Sequence, residues 1–274
     1  MEKTLLNYDS VEISFDGIPV VQDISFSLQP GEILGLVGES GSGKSTLIKA
    51  AMGLLGNTGL VTRGDITFGG RSLVDMPESE LRAVRGAKIG MIFQDAGASL
   101  CPIRTIGEQI YESMRAHGKI VNEEAKEHAL ELLTKLNFKE PERIWESYPF
   151  EMSGGMNQRV GIAISMLMNP PVLLADEPFN GLDPAQTYKF KNTLKNLKKQ
   201  DKTILISTHL LSLAEDFCDR YIFLYDGRIV EQGTKTEILQ KQQMNKETSL
   251  EQIYMSLIGE GEHYAGVQKT VMCE

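Results

Sequence analysis

The chain has 274 residues, a formal charge of −9 at pH 7 and 41% apolar residues. This composition supports a full core, either as one large domain or as one domain with an insert. The negative charge disfavours nucleic acid as a partner, because a phosphate backbone repels it. The sequence has neither an apolar run of the ~20 residues that span a bilayer nor a signal peptide, so we expect a cytosolic protein. Cys101, Cys218 and Cys273 lack the spacing of metal ligands.

Apolar and polar residues alternate through residues 5 to 30, which predicts antiparallel strands with turns at Asp16-Gly17 and Pro30-Gly31. We expect these strands to form a side sheet. Phe15 lies beside the first turn, where it fits either a core residue of that sheet or an exposed aromatic that stacks on a base. Its position alone favours the core.

A glycine-rich stretch follows the apolar run 33–37, which suits a strand buried on both faces. The stretch fits the pattern G-x-x-x-x-G-K-[ST] and precedes a predicted helix. In such a loop successive backbone N–H groups and the helix N-terminus point at one anion. Lys44 would reach the outer phosphates, and the Ser45 hydroxyl would be offered to Mg²⁺. The predicted cradle for a nucleoside triphosphate consists of Gly38, Glu39, Ser40, Gly41, Ser42, Gly43, Lys44, Ser45 and Thr46.

The next segment is predicted to contain a strand over 64–71 with a Gly-Gly turn, a short helix over 77–84 and a buried strand over 89–93. The last of these strands delivers Gln94 at its C-terminal end, the edge where open parallel α/β sheets place ligands. The amide of Gln94 fits a Mg²⁺ ligand, a group that orients water, or a simple cap of the loop.

Residues 97 to 168 are mostly helical in pattern, with an amphipathic helix over 123–137. Tyr148-Pro149 ends the helix before it, and the stretch from Ser153 to Arg159 leads into the next helix. Ser153 is a natural N-cap, and the two glycines after it leave the helix N-terminus open to an anion. The residues alone fit an ordinary cap and an anion site equally.

Two carboxylates, Asp176 and Glu177, end a predicted buried strand over 172–175. Near a triphosphate, Asp176 can hold Mg²⁺ through its water shell and Glu177 can polarise the attacking water. The alternative is a solvated acidic loop. The apolar approach argues against this alternative, because burying carboxylates without a metal or partner is costly.

Asp183-Pro184 predicts a helix start, with Asp183 as N-cap, and this helix runs to about Lys199. A further buried strand over 203–208 ends at His209. A single histidine is more often structural than catalytic, but His209 follows a core strand, level with Gln94 and Glu177. It is therefore placed to sense a γ-phosphate.

The remaining residues predict a hairpin at Asp226-Gly227 and a capping box at Thr234-x-x-Glu237. Thr248-x-x-Glu251 indicates the start of one more helix. Beyond Gly259 the chain is short and polar, and we expect it to be mobile.

These segments together resemble the nucleotide-binding subunit of an ABC transporter in their order and spacing, over roughly residues 3 to 240. The resemblance implies an α/β fold: a P-loop NTPase core with a parallel sheet, an N-terminal antiparallel β subdomain and an inserted α-helical subdomain over approximately 97–168. It divides the chain into an ATP-binding domain, 1–240, and a short C-terminal helical extension with a mobile tail, 241–274. The segments that carry the resemblance are the cradle, Gln94, 153–159, 172–178, Gly181-Leu182-Asp183-Pro184 and His209.

The resemblance also implies roles for these residues. The cradle would hold ATP, with Lys44 also catalytic; Glu177 would be the general base, and His209 would contact the γ-phosphate. Phe15 matches the aromatic that stacks on adenine, which reverses the preference for the core. The implied Mg²⁺ ligands are Ser45, Gln94 and Asp176, and the groups expected to meet the nucleotide or interface of a second subunit are Ser153, Gly154, Gly155 and Asp183.

A finer resemblance is to the peptide/nickel importer branch, carried by residues 91–102, 105–110 and 148–156. The chain departs from that pattern with Cys101 in place of Asn, Asn157 in place of Arg, and Phe179-Asn180-Gly181 in place of Thr-Thr-Ala. None of these departures removes a catalytic group. Peptide members often carry a longer tail with a cysteine cluster, and the absence of one here tilts the expectation toward a metal, metal chelate or small peptide.

The resemblance thus implies an ATPase subunit that powers an importer for peptides, nickel or metal chelates. Its implied partners are a second ABC ATPase subunit, more often a different one than an identical one, two membrane permease subunits and, indirectly, an external solute-binding protein. The implied location is the cytoplasmic face of the membrane, as a peripheral subunit. The alternative is a soluble ABC ATPase of the repair or translation type, but the single cassette and short insert disfavour it.

Overall fold

The computed structural model describes residues 5–118 and 123–259. The opening four residues and the predicted mobile tail after Gly259 lie outside the described residues. The chain divides into two compact units: the first comprises Met1–Asp75 with Leu205–Glu274, and the second comprises residues 76–204.

The described elements alternate between strands and helices as the sequence predicts. The first half contains β1 (Leu6–Phe15), β2 (Ile18–Leu28), β3 (Ile33–Gly38), α1 (Lys44–Ala51), β4 (Gly59–Phe68), β5 (Arg71–Ser72), α2 (Glu78–Val84), β6 (Ile89–Ile92), α3 (Ala96–Ser99), α4 (Ile106–Ala116) and α5 (Glu123–Lys135). The second half contains α6 (Pro141–Glu146), a 3-10 turn (Pro149–Glu151), α7 (Gly154–Met166), β7 (Val172–Asp176), α8 (Pro184–Lys198), β8 (Thr203–Thr208), α9 (Leu211–Glu215), β9 (Arg220–Tyr225), β10 (Arg228–Gly233) and α10 (Lys235–Lys241).

The first unit contains the predicted N-terminal antiparallel sheet, with strand order β2-β1-β4-β5. Strands β1 and β2 are joined through the turn at Asp16-Gly17, and β1 also pairs antiparallel with β4. Tyr8 is buried in this sheet, stacks on Phe26 at 4.3 Å and donates its hydroxyl to Leu47 O of α1 at 2.9 Å. The side sheet therefore packs directly against the helix that follows the glycine-rich loop.

A second sheet in the first unit places β3 beside β9 in parallel. Strands β9 and β10 form the predicted hairpin around Asp226-Gly227, and the final residues of β8 lie on the other side of β3. All six residues of β3 are buried, as expected of a parallel strand covered on both faces. This sheet carries the glycine-rich loop at the C-terminal end of β3.

Two helices close the described part of the first unit. Thr234 and Glu237 form the predicted capping box of α10. Residues 250–259 form the last helix, but its predicted box at Thr248 and Glu251 is wrong by one residue. Ser249 and Gln252 exchange the two capping hydrogen bonds instead, at 2.9 and 3.3 Å. A Ser-x-x-Gln box serves as well as Thr-x-x-Glu, and this register turns Leu250, Ile253 and Tyr254 inward.

The second unit combines the parallel pair β6 and β7 with most of the helices. Helix α7 packs on β6, and the Ser165 hydroxyl donates to Met91 O. Trp145 of α6 packs edge to face with Tyr111 of α4 at 4.8 Å. The predicted amphipathic helix is α5, which buries its alanine and leucine stripe. No helix within residues 5–118 and 123–259 is long and apolar enough to cross a membrane.

Candidate functional site

The glycine-rich loop lies between the end of β3 and the start of α1, as predicted. Gly38 ends β3 beside Leu224 of β9, and a Cβ atom built on Gly38 would lie 2.2 Å from Leu224 O. No side chain fits there without moving the backbone of β9. The loop therefore leaves the sheet at a point that only glycine can occupy.

Lys44 is the buried cation of this loop, with 4% of its surface exposed. Its Nζ atom donates to Gly38 O at 2.9 Å and to Glu39 O at 2.7 Å. Ser42 N donates to the same Glu39 carbonyl at 3.2 Å. These bonds fold the loop around the ammonium group, at the position from which a lysine reaches bound phosphates.

The N-terminus of α1 fits a phosphate group. Gly43 precedes the helix with φ 100°, and no side chain in the described chain caps the helix through a hydrogen bond. Ser42 Oγ is buried and has no hydrogen-bond partner among the described residues. A helix N-terminus without a side-chain cap, a buried hydroxyl and a lysine together form the kind of site that a phosphate needs.

Two further predicted residues lie in the first unit. Phe15 is the last residue of β1 and is half-buried, with its Cε1 atom 2.7 Å from where a Cβ of Gly59 would lie. The ring thus lies close to Gly59 and keeps part of its surface exposed. His209 directly follows β8, which ends where the sequence predicts, and its side chain is exposed.

Three predicted residues lie at or just beyond the ends of β6 and β7 in the second unit. Gln94 lies beyond the end of β6 and is exposed. Asp176 is the last residue of β7 and Glu177 is the next, with only 1% and 6% of their surfaces exposed. Both carboxylates are therefore buried, unlike those of a solvated acidic loop.

The backbone at Glu177 is strained. Its φ of 44° places a non-glycine residue in the left-handed region. Such conformations cost of order 1–3 kcal/mol and cluster at functional sites, where the surrounding structure enforces them. Asn180 N closes the turn that follows by donating to Glu177 O at 3.1 Å.

The segment from Ser153 to Gly155 opens α7, as predicted. The Ser153 hydroxyl accepts a hydrogen bond from Met156 N at 3.3 Å, so this serine is a true N-cap. Ser153 and Gly154 are exposed, whereas Gly155 is buried. Asp183 similarly caps α8 by accepting from Gln186 N at 2.8 Å and is exposed.

Gln186 connects these two helix starts. Its backbone N–H bonds Asp183, and its Oε1 atom lies 2.5 Å from where a Cβ of Gly155 would be. This oxygen is buried and has no hydrogen-bond partner within the described residues. The small size of Gly155 thus lets the amide of Gln186 lie under the start of α7.

Gln158 is buried in α7, and its sequence context alone indicates no role for it. Its Nε2 atom donates to Phe93 O at 3.4 Å and to Pro178 O at 3.3 Å. These carbonyls belong to the residues next to Gln94 and Glu177. Gln158 therefore ties together the two strand-end loops of the second unit. The available signal was its spacing from Gly155 and Ile162, which places a polar residue on the buried face of the helix.

Arg159, one residue further along α7, holds the end of α5. Its guanidinium donates to Leu136 O at 3.2 Å and Asn137 O at 3.1 Å, and it lies over the ring of Phe138 at 4.2 Å. Burial lowers the pKa of Arg159, while the negative charge of Asp183 opposes that shift. The start of α7 is thus fixed to its neighbours by side-chain bonds to backbone carbonyls.

A glycine-rich loop between a buried parallel strand and an uncapped helix, with an inward-turned lysine, defines a P-loop nucleotide-binding fold. Comparison with known proteins specifies the family. The sequence profile described as "ABC transporter" matches residues 21–180. The chain belongs to the ABC transporter family.

Three curated relatives are similar over most of the chain. A probable peptide ABC transporter ATP-binding protein of Sinorhizobium fredii is 41% identical over 217 residues, which are 78% of this chain and 65% of the relative. The oligopeptide transport ATP-binding protein OppD of Escherichia coli is 40% identical over 239 residues, 85% of this chain and 71% of that protein. The metal-staphylopine import ATP-binding protein CntD of Staphylococcus aureus is 36% identical over 222 residues, 81% of this chain and 82% of that protein.

Two solved structures have the same fold. An ATP-binding subunit of an ABC transporter superposes with a TM-score of 0.80 at 31% identity, covering 93% of this chain and all of that chain. A dimeric ATP-binding cassette in a post-hydrolysis state, bound to ADP and Pi, gives 0.76 at 30% identity and covers 84% and 98% of the two chains. The predicted family and the predicted P-loop ATPase fold class are confirmed.

Proposed function

We propose that this chain is the ATP-binding and ATP-hydrolysing subunit of an ABC importer for peptides, nickel or metal chelates. The observation that carries the proposal is the phosphate loop with its buried Lys44, in a chain of the ABC family. The relatives are named for peptide, oligopeptide and metal-staphylopine transport, which favours an importer over a soluble repair or translation ATPase. The same names support a substrate range from peptides to metal chelates.

ATP would bind with its phosphates on the loop from Gly38 to Thr46 and its adenine on the outer face of Phe15. The uncapped start of α1, Ser42 Oγ and Lys44 support the phosphate contacts. The partial exposure of Phe15 supports stacking, because an aromatic side chain must be accessible to stack on a base.

Mg²⁺ would be held by the oxygens of Ser45, Gln94 and Asp176. A hydroxyl, an amide oxygen and a carboxylate are the hard ligands that this ion prefers, and the burial of Asp176 fits a carboxylate with a cationic partner. When bound, the ion neutralises charge on the phosphates.

Glu177 would be the general base, with Lys44, Gln94 and His209 as the other catalytic groups. Its strained backbone and buried carboxylate support this role. Glu177 would accept the proton of the water that attacks the γ-phosphorus, while Lys44 and His209 stabilise charge on the transferred group. Gln158, bonded beside Gln94 and Glu177, would keep both loops in place.

A second ABC subunit would complete the site. Ser153 and Gly154 are exposed at the start of α7, so they are available to ATP held by another molecule, with Gly155 and Asp183 beside them. The dimeric state of the solved cassette bound to ADP and Pi supports this arrangement. As the partner we favour a different ATPase subunit over an identical copy.

The dimer would work with two membrane permease subunits, and through them with an external solute-binding protein. It would lie as a peripheral complex on the cytoplasmic face of the membrane. We divide the chain into an ATP-binding domain, 1–240, and a C-terminal extension, 241–274. The helical insert of the ATP-binding domain, over approximately 97–168, would transmit the opening and closing of the dimer to the permease subunits. The transport names of the relatives support these partners. The net charge of −9 disfavours nucleic acid as a partner.

Co-expression with candidate pairs of membrane subunits tests the proposed transport function. We expect a membrane complex that co-purifies and hydrolyses ATP faster when the solute-binding protein is present. Failure to form a complex with any pair would remove the importer function.

The variant Glu177→Gln in the same complex tests the proposed role of Glu177 in ATP hydrolysis. The variant should bind ATP normally but lose turnover by a factor of about 10²–10⁴, the usual contribution of a general base. It should also accumulate a closed dimer with bound ATP. Near-normal hydrolysis would take the role of base away from Glu177.

A further inference from the structure

Tyr254 of the last helix, residues 250–259, reaches the backbone of the phosphate loop. Its hydroxyl oxygen accepts a hydrogen bond from Glu39 N at 3.1 Å, and its O–H donates to Leu224 O at 3.4 Å. The side chain is buried, with 3% of its surface exposed. The phenol thus joins the first peptide of the loop to β9, the strand on which Gly38 rests.

The peptide between Gly38 and Glu39 is held from both sides. It is one planar unit, so the carbonyl of Gly38 and the N–H of Glu39 turn together. Lys44 Nζ binds the carbonyl at 2.9 Å, and Tyr254 binds the N–H. Rotating this peptide would break both bonds. The tyrosine therefore orients the carbonyl that helps to place the lysine.

The position of Tyr254 is itself well supported. Its ring stacks with Phe223 at 6.0 Å in a buried cluster that also contains Val37 of β3. The start of the helix is fixed where Leu250 N donates to Glu215 Oε2 at 3.1 Å. Burial raises the pKa of Tyr254, so the phenol stays protonated and can accept one hydrogen bond while donating another.

We propose that Tyr254 is a positioning residue for the phosphate loop, which makes the C-terminal helix part of the nucleotide-binding machinery. The tyrosine does not touch the nucleotide. It fixes the first peptide of the loop, and through that peptide the starting position of Lys44. This inference rests on the proposed binding of ATP to the loop.

The test compares Tyr254→Phe with Tyr221→Phe in the full chain. Both changes remove one phenol hydroxyl from the same buried cluster. The hydroxyl of Tyr221 donates to Cys218 O at 3.0 Å and Glu215 O at 3.4 Å, away from the loop. The second variant therefore reports the cost of a lost buried hydroxyl without the loop contact.

Affinity is measured by titration with a non-hydrolysable ATP analogue. Losing the bond to Glu39 should weaken binding about three- to tenfold in Tyr254→Phe, the net value of one hydrogen bond. Tyr221→Phe should bind the analogue as tightly as the unchanged chain does. The midpoint of thermal unfolding should fall by a similar amount in the two variants. Equal affinities in the two variants would overturn the proposal and leave Tyr254 with a purely structural role.

Amide hydrogen exchange at Glu39, followed by NMR without nucleotide, gives a readout that does not depend on ATP. The Glu39 amide should exchange faster in Tyr254→Phe, and its exchange rate should not change in Tyr221→Phe. Unchanged protection in both would also overturn the proposal. If the unaltered chain fails to bind the analogue, the proposed function fails, while the exchange experiment still decides whether Tyr254 fixes the loop.

Discussion

The helices α1 and α7 both begin after glycine-rich segments, but their N-termini are built in opposite ways. At α1 no side chain among the described residues caps the helix, and Ser42 and Lys44 are buried. At α7 the Ser153 hydroxyl satisfies an N–H of the first turn, and Ser153 and Gly154 are exposed. The first end thus has no side-chain cap and carries buried polar side chains, whereas the second is capped by its own serine and is exposed.

The difference shows that a glycine-rich helix start has no fixed function. The end of α1 gathers a lysine, a hydroxyl and backbone donors within its own unit. The end of α7 offers one hydroxyl and an exposed glycine. Those few groups suit a surface that closes over a nucleotide already held elsewhere, which is the role proposed for it.

The largest expected contrast is between Gly38→Ala and Gly154→Ala. A Cβ at Gly38 would lie 2.2 Å from Leu224 O, whereas one at Gly154 would meet no atom within 4 Å. Gly38→Ala should lower the free energy of unfolding by about 3 kcal/mol, and Gly154→Ala should change it by less than about 1 kcal/mol. Urea denaturation of both variants measures this. Equal losses would mean that the two helix starts are packed alike.

The next contrast concerns charge at the enclosed end. Lys44→Ala removes a buried ammonium, and Lys49→Ala removes an exposed one from the last turn of the same helix. The first variant should bind ATP roughly 10- to 100-fold more weakly, because each hydrogen bond to a charged group contributes about 1.5–3 kcal/mol. The second should bind nearly as the unchanged chain does. Calorimetric titration separates them, and similar losses in both would show that only net charge matters.

The smallest effect is expected at the self-capped end. Ser153→Ala removes the cap and should cost about 1 kcal/mol of unfolding free energy, while Ser153→Gly should cost only a few tenths. Both variants lose the hydroxyl that would face a second subunit, so both should hydrolyse ATP more slowly in the assembled complex. Normal hydrolysis by Ser153→Gly would restrict Ser153 to its role as a cap.

Prediction from the sequence succeeded where a function depends on consecutive residues. The loop from Gly38 to Thr46, the N-caps at Ser153 and Asp183, and the strand end before His209 are where the pattern put them, and the strand before Gln94 ends one residue early, at Ile92. Local hydrogen bonding and hydrophobic period decide such features. The capping box predicted at Thr248 is wrong because the sequence offers two overlapping boxes of nearly equal local stability. The burial of Leu250 and Tyr254 selects the second box, at Ser249.

The sequence by itself determined the nucleotide loop, the alternation of strands and helices, and the family, because each depends on residues close together in the chain. Only the tertiary structure decided that Tyr254 holds the first peptide of the loop and that Gln158 ties the loops beside Gln94 and Glu177. Tyr254 and Glu39 are 215 residues apart, and no local pattern marks a hydrogen bond across that separation. Such contacts arise when packing brings distant polar groups together and burial then requires them to be paired.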